Sequence, residues 1–192
     1  MIRSFIGIRL YVAIAVAMGA IACSGGSPST TDLGSMTRAS LTVQSDQFQN
    51  GQPIPAKYTA DGGNLSPSIS WSTPPADTKS IAMTLVDSDA NGFVHWVVYN
   101  IAPDVKTLPP GLPQTDWLNT LGKAYQGKNS RKSTGYFGPQ PPPGKPHHYH
   151  FHVYALDSML TLNAGVSKVD LEKAMSGHVL AQGELVGTFE SH

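Results

Sequence analysis

The sequence predicts one mainly β domain preceded by an export leader. Three observations carry this. From Leu41 onward, short apolar alternations of period two are broken repeatedly by Gly, Pro, Asn and Asp. Helical periodicity is convincing at one place only. A chain of 192 residues, 40% of them hydrophobic, suits a single core of ordinary size.

Arg3 and Arg9 flank a short polar start, and Leu10 to Ala22 is apolar apart from Tyr11 and Gly19. That run is too short to span a bilayer comfortably and has the length of a signal-peptide core, so residues 1–22 read as a signal peptide and the protein as exported. Cys23 follows Ala20-Ile21-Ala22, small residues that resemble the lipobox of bacterial lipoproteins, with Ala in place of the usual Leu at the first position. The resemblance makes Cys23 a lipid anchor in the cell envelope; the blander reading is an incidental thiol after an ordinary cleavage site, leaving the protein periplasmic or secreted. Residues 23–40, rich in Gly, Ser and Thr, read as a flexible tether.

Residues 41–192 then form the folded domain. Expected strands are Leu41 to Ser45, Ile69 to Trp71, Ile81 to Asp87, Val94 to Ile101, Tyr149 to Leu156 and Val179 to Phe189, with turn chemistry at Asp61-Gly62-Gly63-Asn64 and Pro74-Pro75. The helix begins at Ser167, an N-cap with Asp170 three residues on, runs through Leu171, Ala174 and Met175 on one face, and stops at Gly177.

Thirteen basic and thirteen acidic residues cancel, and neither sign forms a long run, so no broad nucleic-acid surface is implied. A single cysteine excludes an intramolecular disulfide. No cofactor is implied.

The strand period, applied to three segments, brings each apolar face up against an ionisable group. Ile81, Met83 and Leu85 share a face with Asp87; His95 shares one with Val97, Tyr99 and Ile101; His147 and Tyr149 share one with Phe151, Val153 and Ala155. If these faces look into one core, Asp87, His95, His147 and Tyr149 meet at its rim as a small polar pocket with an apolar floor. Taken singly, Asp87 could simply cap a turn and His95 could be a satisfied core histidine.

His148, His150 and His152 alternate onto the opposite face with Tyr154. Neutral imidazoles bind zinc, copper and nickel, but no nearby Cys or Glu completes a familiar ligand set in the sequence, and same-face neighbours lie about 6–7 Å apart along a strand. A solvated polar face, not a metal site, is the expectation.

Asp87-Ser88-Asp89-Ala90, then His95-Trp96-Val97-Val98-Tyr99-Asn100, then Gly135 through Tyr149, resemble the motifs of the phosphatidylethanolamine-binding protein family, also called the Raf kinase inhibitor-like proteins. Asp61 to Pro67 with Trp71, and Val153 to Asp157, resemble its bacterial branch. The resemblance runs from about Leu41 to about Glu190. It implies a β-sandwich with a central antiparallel sheet, one or two short packing helices, and a small cavity for phosphate, phospholipid headgroups or other anions. By motif position the pocket residues would be Asp87, Asp89, His95, His147 and Tyr149, with Gly138, Pro139, Pro141 and Pro142 as its wall.

Four positions depart from the pattern. Ser88 stands for a proline, Phe137 and Gln140 for the usual Gly and Cys, and His148 for an arginine, whose loss implies weaker or pH-dependent anion affinity. An alternative function is inhibition or modulation of an envelope protease or another protein partner. A hydrolase is disfavoured, because G-x-S-x-G, S-x-x-K and H-E-x-x-H are all missing and the sole cysteine sits at the anchor. Gly122 to Asn129 nearly matches a P-loop, but Asn129 lacks the hydroxyl that would hold magnesium.

Overall fold

The computed structural model describes residues 39–191; the leader, Cys23 and most of the tether lie outside the described residues. Eleven strands are present among the described residues: β1 (Ala39–Ser40), β2 (Val43–Gln44), β3 (Gln52–Pro53), β4 (Ile69–Trp71), β5 (Ser80–Asp87), β6 (Phe93–Ile101), β7 (Thr107–Leu108), β8 (Trp117–Leu118), β9 (Ala124–Gln126), β10 (His147–Leu156) and β11 (Val179–Phe189). The helix α1 spans Lys168–Met175.

Eight strands form one sheet in the order β1-β11-β10-β5-β6-β9-β8, with β3 also paired to β11; β2-β4-β7 form a second, three-stranded sheet. The four long strands β11, β10, β5 and β6 pair antiparallel and make the platform. One face of it carries Ile81, Met83, Leu85, Trp96, Val98, Phe151 and Val153, packed with Val43, Ile69, Trp71 and Leu108 of the small sheet. The other carries Ala82, Val97, Tyr99 and Leu156 against Leu171 and Met175 of α1. β5 and β6 are therefore covered on both sides, which is why they read as nearly unbroken apolar runs. The expected β-sandwich with a packing helix is what the chain forms.

α1 has the capping box its sequence announces. The Ser167 hydroxyl accepts from the Asp170 backbone N–H and the Asp170 carboxylate from that of Ser167, satisfying donors the first turn would otherwise leave free. The first expected strand is shorter than anticipated. Val43–Gln44 pairs with β4, whereas the Leu41 N–H has turned to the Gln182 carbonyl of the large sheet.

β6 departs from strict alternation. Leu85 pairs with Trp96, yet the next β5 residue, Val86, pairs with Val94, so one step on β5 spans two on β6. His95 is the extra residue of this bulge. A second irregularity, where Met83 pairs with Val98 and Ile81 with Ile101, passes through Asn100 at φ 57°. The expectation that His95 shares a face with Val97, Tyr99 and Ile101 is thereby corrected: Val97 and Tyr99 face α1, while the second bulge returns Ile101 to the face of Val98.

Candidate functional site

β5 ends at Asp87, and the two oxygens of its carboxylate have different jobs. Oδ1 accepts from the backbone N–H groups of Asp89 (2.9 Å) and Ala90 (3.1 Å), capping the turn into β6. Oδ2 lies 2.7 Å from Nδ1 of His147 at the start of β10. Asp87 is 3% exposed and His147 7%, so the pair is held away from water. The turn-capping role and the imidazole-orienting role are thus both filled by one side chain.

The bulge in β6 delivers His95 to the same place. Its Nδ1 lies 2.7 Å from the Phe137 carbonyl, which can only accept, so that nitrogen carries the proton. Burial pushes the His95 pKa below the ordinary imidazole value, against the opposing pull of the Phe137 carbonyl and the Asp87 charge. The ring stacks on Phe137 (5.7 Å, 10°) and meets Tyr149 edge-on (5.2 Å, 78°). Tyr149 is the cross-strand partner of Asp87. Its hydroxyl is buried without a hydrogen-bond partner, and burial together with the Asp87 carboxylate pushes its pKa up, so it stays a protonated donor.

The proline-rich loop closes the arrangement. Gly138 donates to the Asn64 side chain at 2.8 Å, and Ala60 donates to the Pro139 carbonyl at 2.9 Å. A Cβ at residue 138 would come within 2.7 Å of backbone atoms of Tyr58, Thr59 and Ala60, so only glycine permits this approach. Gln140 donates to Asp61 (2.9 Å) and accepts from Arg131 (3.0 Å), whose guanidinium lies 4.0 Å from the Phe137 ring centroid.

Together these elements enclose a pocket of about 100 Å³, lined by Asp87, Ala90, Phe93, His95, Arg131, Phe137, Gln140, Pro141, Pro142 and His147. Among the residues expected from the sequence, Asp87, His95, His147, Pro141 and Pro142 line it directly. Gly138 and Pro139 dock the loop from behind, and Tyr149 stands beneath His95. Asp89 is turned elsewhere: its carboxylate takes the His148 backbone N–H and ring (both 2.9 Å) and faces Lys145 at 3.7 Å. The His148 ring and backbone hold the Asp89 pKa down to about 2.

Arg131, Phe137, Gln140, Phe93 and Ala90 were not expected in the site. Phe137 and Gln140 stand out in the sequence only as departures from the family pattern, and Arg131 lies just past the P-loop look-alike. That look-alike folds differently, since Ala124–Gln126 is strand β9 paired with β6 and β8. A permanent cation therefore does reach the pocket, although His148 supplies none.

His148, His150, His152 and Tyr154 do lie on the opposite, more exposed face of β10. The expectation that no glutamate stands near them is corrected by the register. Glu184 of β11 is directly opposite His152, with Oε1 at 2.7 Å from His150 Nδ1 and 3.4 Å from His152 Nδ1. It is 32 residues from His152 in the chain, so only strand pairing reveals it.

A family model described as phosphatidylethanolamine-binding protein matches residues 44–190. The UPF0098 protein PH1269 of Pyrococcus horikoshii is 40% identical over 191 residues, covering 98% of this chain and 90% of the relative. A Mycobacterium tuberculosis protein whose name marks it as a candidate lipoprotein, LppC, is 34% identical over 194 residues, covering 93% and 92%. Among solved structures, Escherichia coli YbcL, described as a new member of the mammalian PEBP family, superposes with a TM-score of 0.74 at 32% identity, covering 80% of this chain and all of that one. The PEBP homologue CT736 from Chlamydia trachomatis gives 0.71 at 36% identity, covering 80% and 99%.

Proposed function

Given that the chain belongs to the phosphatidylethanolamine-binding protein family, we propose that it is a non-enzymatic exported binding protein whose pocket takes phosphate, a phosphorylated headgroup or a similar small anion. The observation that carries this reading is the convergence of His95, His147 and Arg131 on one pocket of about 100 Å³. Cavities for drug-sized ligands run to roughly 300–1,000 Å³, so this one suits an ion or a headgroup. Arg131 offers a fixed positive charge and forked donors, and the Tyr149 hydroxyl is a buried donor without a partner. Both oxygens of Asp87 are already engaged, one by the turn amides and one by His147, so the carboxylate serves to hold the site together. Its carboxylate fixes the His147 ring, leaving the far ring nitrogen of His147 to meet an incoming phosphate.

The lining also argues for binding over catalysis. None of its ten residues is Ser, Thr, Cys or Lys, so it offers none of the usual hydroxyl, thiol or amine nucleophiles. Export and anchoring through Cys23 are part of the same proposal; the lipobox resemblance and the naming of the mycobacterial relative support them. Loss of palmitate incorporation on Cys23→Ser would be the expected result. No helix among the described residues is long and apolar enough to cross a membrane.

Calorimetric titration of wild type and His147→Ala with phosphate and with phosphoethanolamine tests the pocket. A single saturable site that weakens at least about 10-fold in the variant is expected, since a hydrogen bond to a charged group contributes about 1.5–3 kcal/mol. Equal binding by both proteins, or by neither, would refute the assignment.

A further inference from the structure

We propose that His150, His152 and Glu184 form a binding site for one divalent transition-metal ion, with zinc as the test ion, on the face of the large sheet opposite the anion pocket. Each residue offers one ligand atom, and the three atoms lie within 4.8 Å of one another. Zinc held tetrahedrally at about 2.0–2.1 Å sets its ligand atoms about 3.4 Å apart, so small side-chain rotations close the gap. Both imidazoles bring Nδ1 close to the same carboxylate oxygen of Glu184, at 2.7 Å for His150 and 3.4 Å for His152. Their rings are nearly parallel, at 5.9 Å and 14°. Strand spacing argues against coordination by three histidines in a row, whereas two neighbouring histidines and a cross-strand glutamate need to bridge only one such interval.

The donor set selects the class of ion. Two neutral imidazoles and one carboxylate suit zinc and its borderline neighbours better than calcium or magnesium, which prefer all-oxygen shells. Three protein ligands leave a fourth position for water or a small ligand. His152 and Glu184 also line a pocket of about 360 Å³ with Tyr154, Gln182 and Gly183, so that position is reachable from solvent.

An outer partner is in place too. The His150 Nε2 lies 3.1 Å from the Ser88 hydroxyl. Once Nδ1 binds metal, the ring proton moves to Nε2 and is donated to Ser88, which fixes both tautomer and ring orientation. Ser88 is one of the positions where this chain departs from the pattern its motifs resemble. A proline there has no hydroxyl for this bond.

The test is zinc titration of the full chain in non-ionic detergent and phosphate-free, non-chelating buffer, followed by calorimetry. Wild type is expected to bind one zinc per chain. His152→Ala and Glu184→Gln should each weaken binding at least about 10-fold, and Ser88→Ala about 10-fold through the His150 orientation. His148→Ala and His178→Ala, on separate carboxylate partners, should leave it unchanged. Circular dichroism of each variant verifies that the fold is kept, and zinc-edge anomalous scattering from crystals should place the ion between His150 and Glu184. Failure of wild type to bind one equivalent, retention of wild-type affinity by Glu184→Gln and His152→Ala, or an ion located elsewhere would overturn the proposal.

Discussion

Gly138→Ala probes how the loop is held against the pocket. The added Cβ would meet Tyr58 O, Thr59 C and Ala60 N at 2.7 Å, all backbone atoms that cannot rotate away. Restoring ordinary contact at 3.4 Å requires the loop to retreat by about 0.7 Å. A shift of that size stretches the Gly138–Asn64 bond (2.8 Å) and the Ala60–Pro139 bond (2.9 Å) to the edge of hydrogen bonding. Losing both costs about 1–3 kcal/mol. The reduced unfolded-state entropy of alanine returns about 0.4–1 kcal/mol, leaving a net loss of about 1–2 kcal/mol. For a domain of this size that lowers the melting temperature by about 2–8 °C. Because Gln140, Pro141 and Pro142 line the pocket on the same loop, phosphate affinity should fall too, by about 5-fold for each kcal/mol expressed there. Urea denaturation gives the stability, and phosphate titration of the folded variant gives the affinity. Wild-type values in both would refute the reasoning.

Arg131→Ala removes the fixed cation and should weaken phosphate binding about 10-fold by calorimetry, with Arg131→Lys restoring part, because an ammonium keeps the charge but not the stacking on Phe137. Stability should also fall on acidification. Burial lowers the pKa of both His95 and His152 in the folded state, so below about 6.5 the unfolded chain binds more protons and unfolding is favoured. Their contribution is intact above that pH and is lost as pH falls toward the folded values. The urea midpoint at pH 5.5 should therefore lie below that at pH 7.5, and an unchanged or higher midpoint would contradict this.

The half of the site that β10 carries was legible because that strand alternates without interruption where it matters. His147, Tyr149, Phe151, Val153 and Ala155 point inward, and His148, His150, His152 and Tyr154 outward. β6 was not legible in the same way. His95 reaches the pocket because of a bulge that only the pairing with β5 reveals, so the expected meeting with Asp87 occurs although the face assigned to His95 was the wrong one. Arg131 and Glu184 lay hidden for another reason. Arg131 sits in an irregular loop that has no period to read, and Glu184 meets His152 only through the pairing of β10 with β11, a contact on which local periodicity is silent. Asp89 followed the motif but not the geometry, since the neighbouring His148 and Lys145 draw its carboxylate away.

The most direct test of the account is to follow the histidine ring resonances by NMR while phosphate is added. Saturable shifts at His95 and His147, fitted by one dissociation constant, with His178 unmoved, are predicted. Shifts confined to the exposed histidines, or no saturable change at His95 and His147, would contradict the pocket as a binding site for anions.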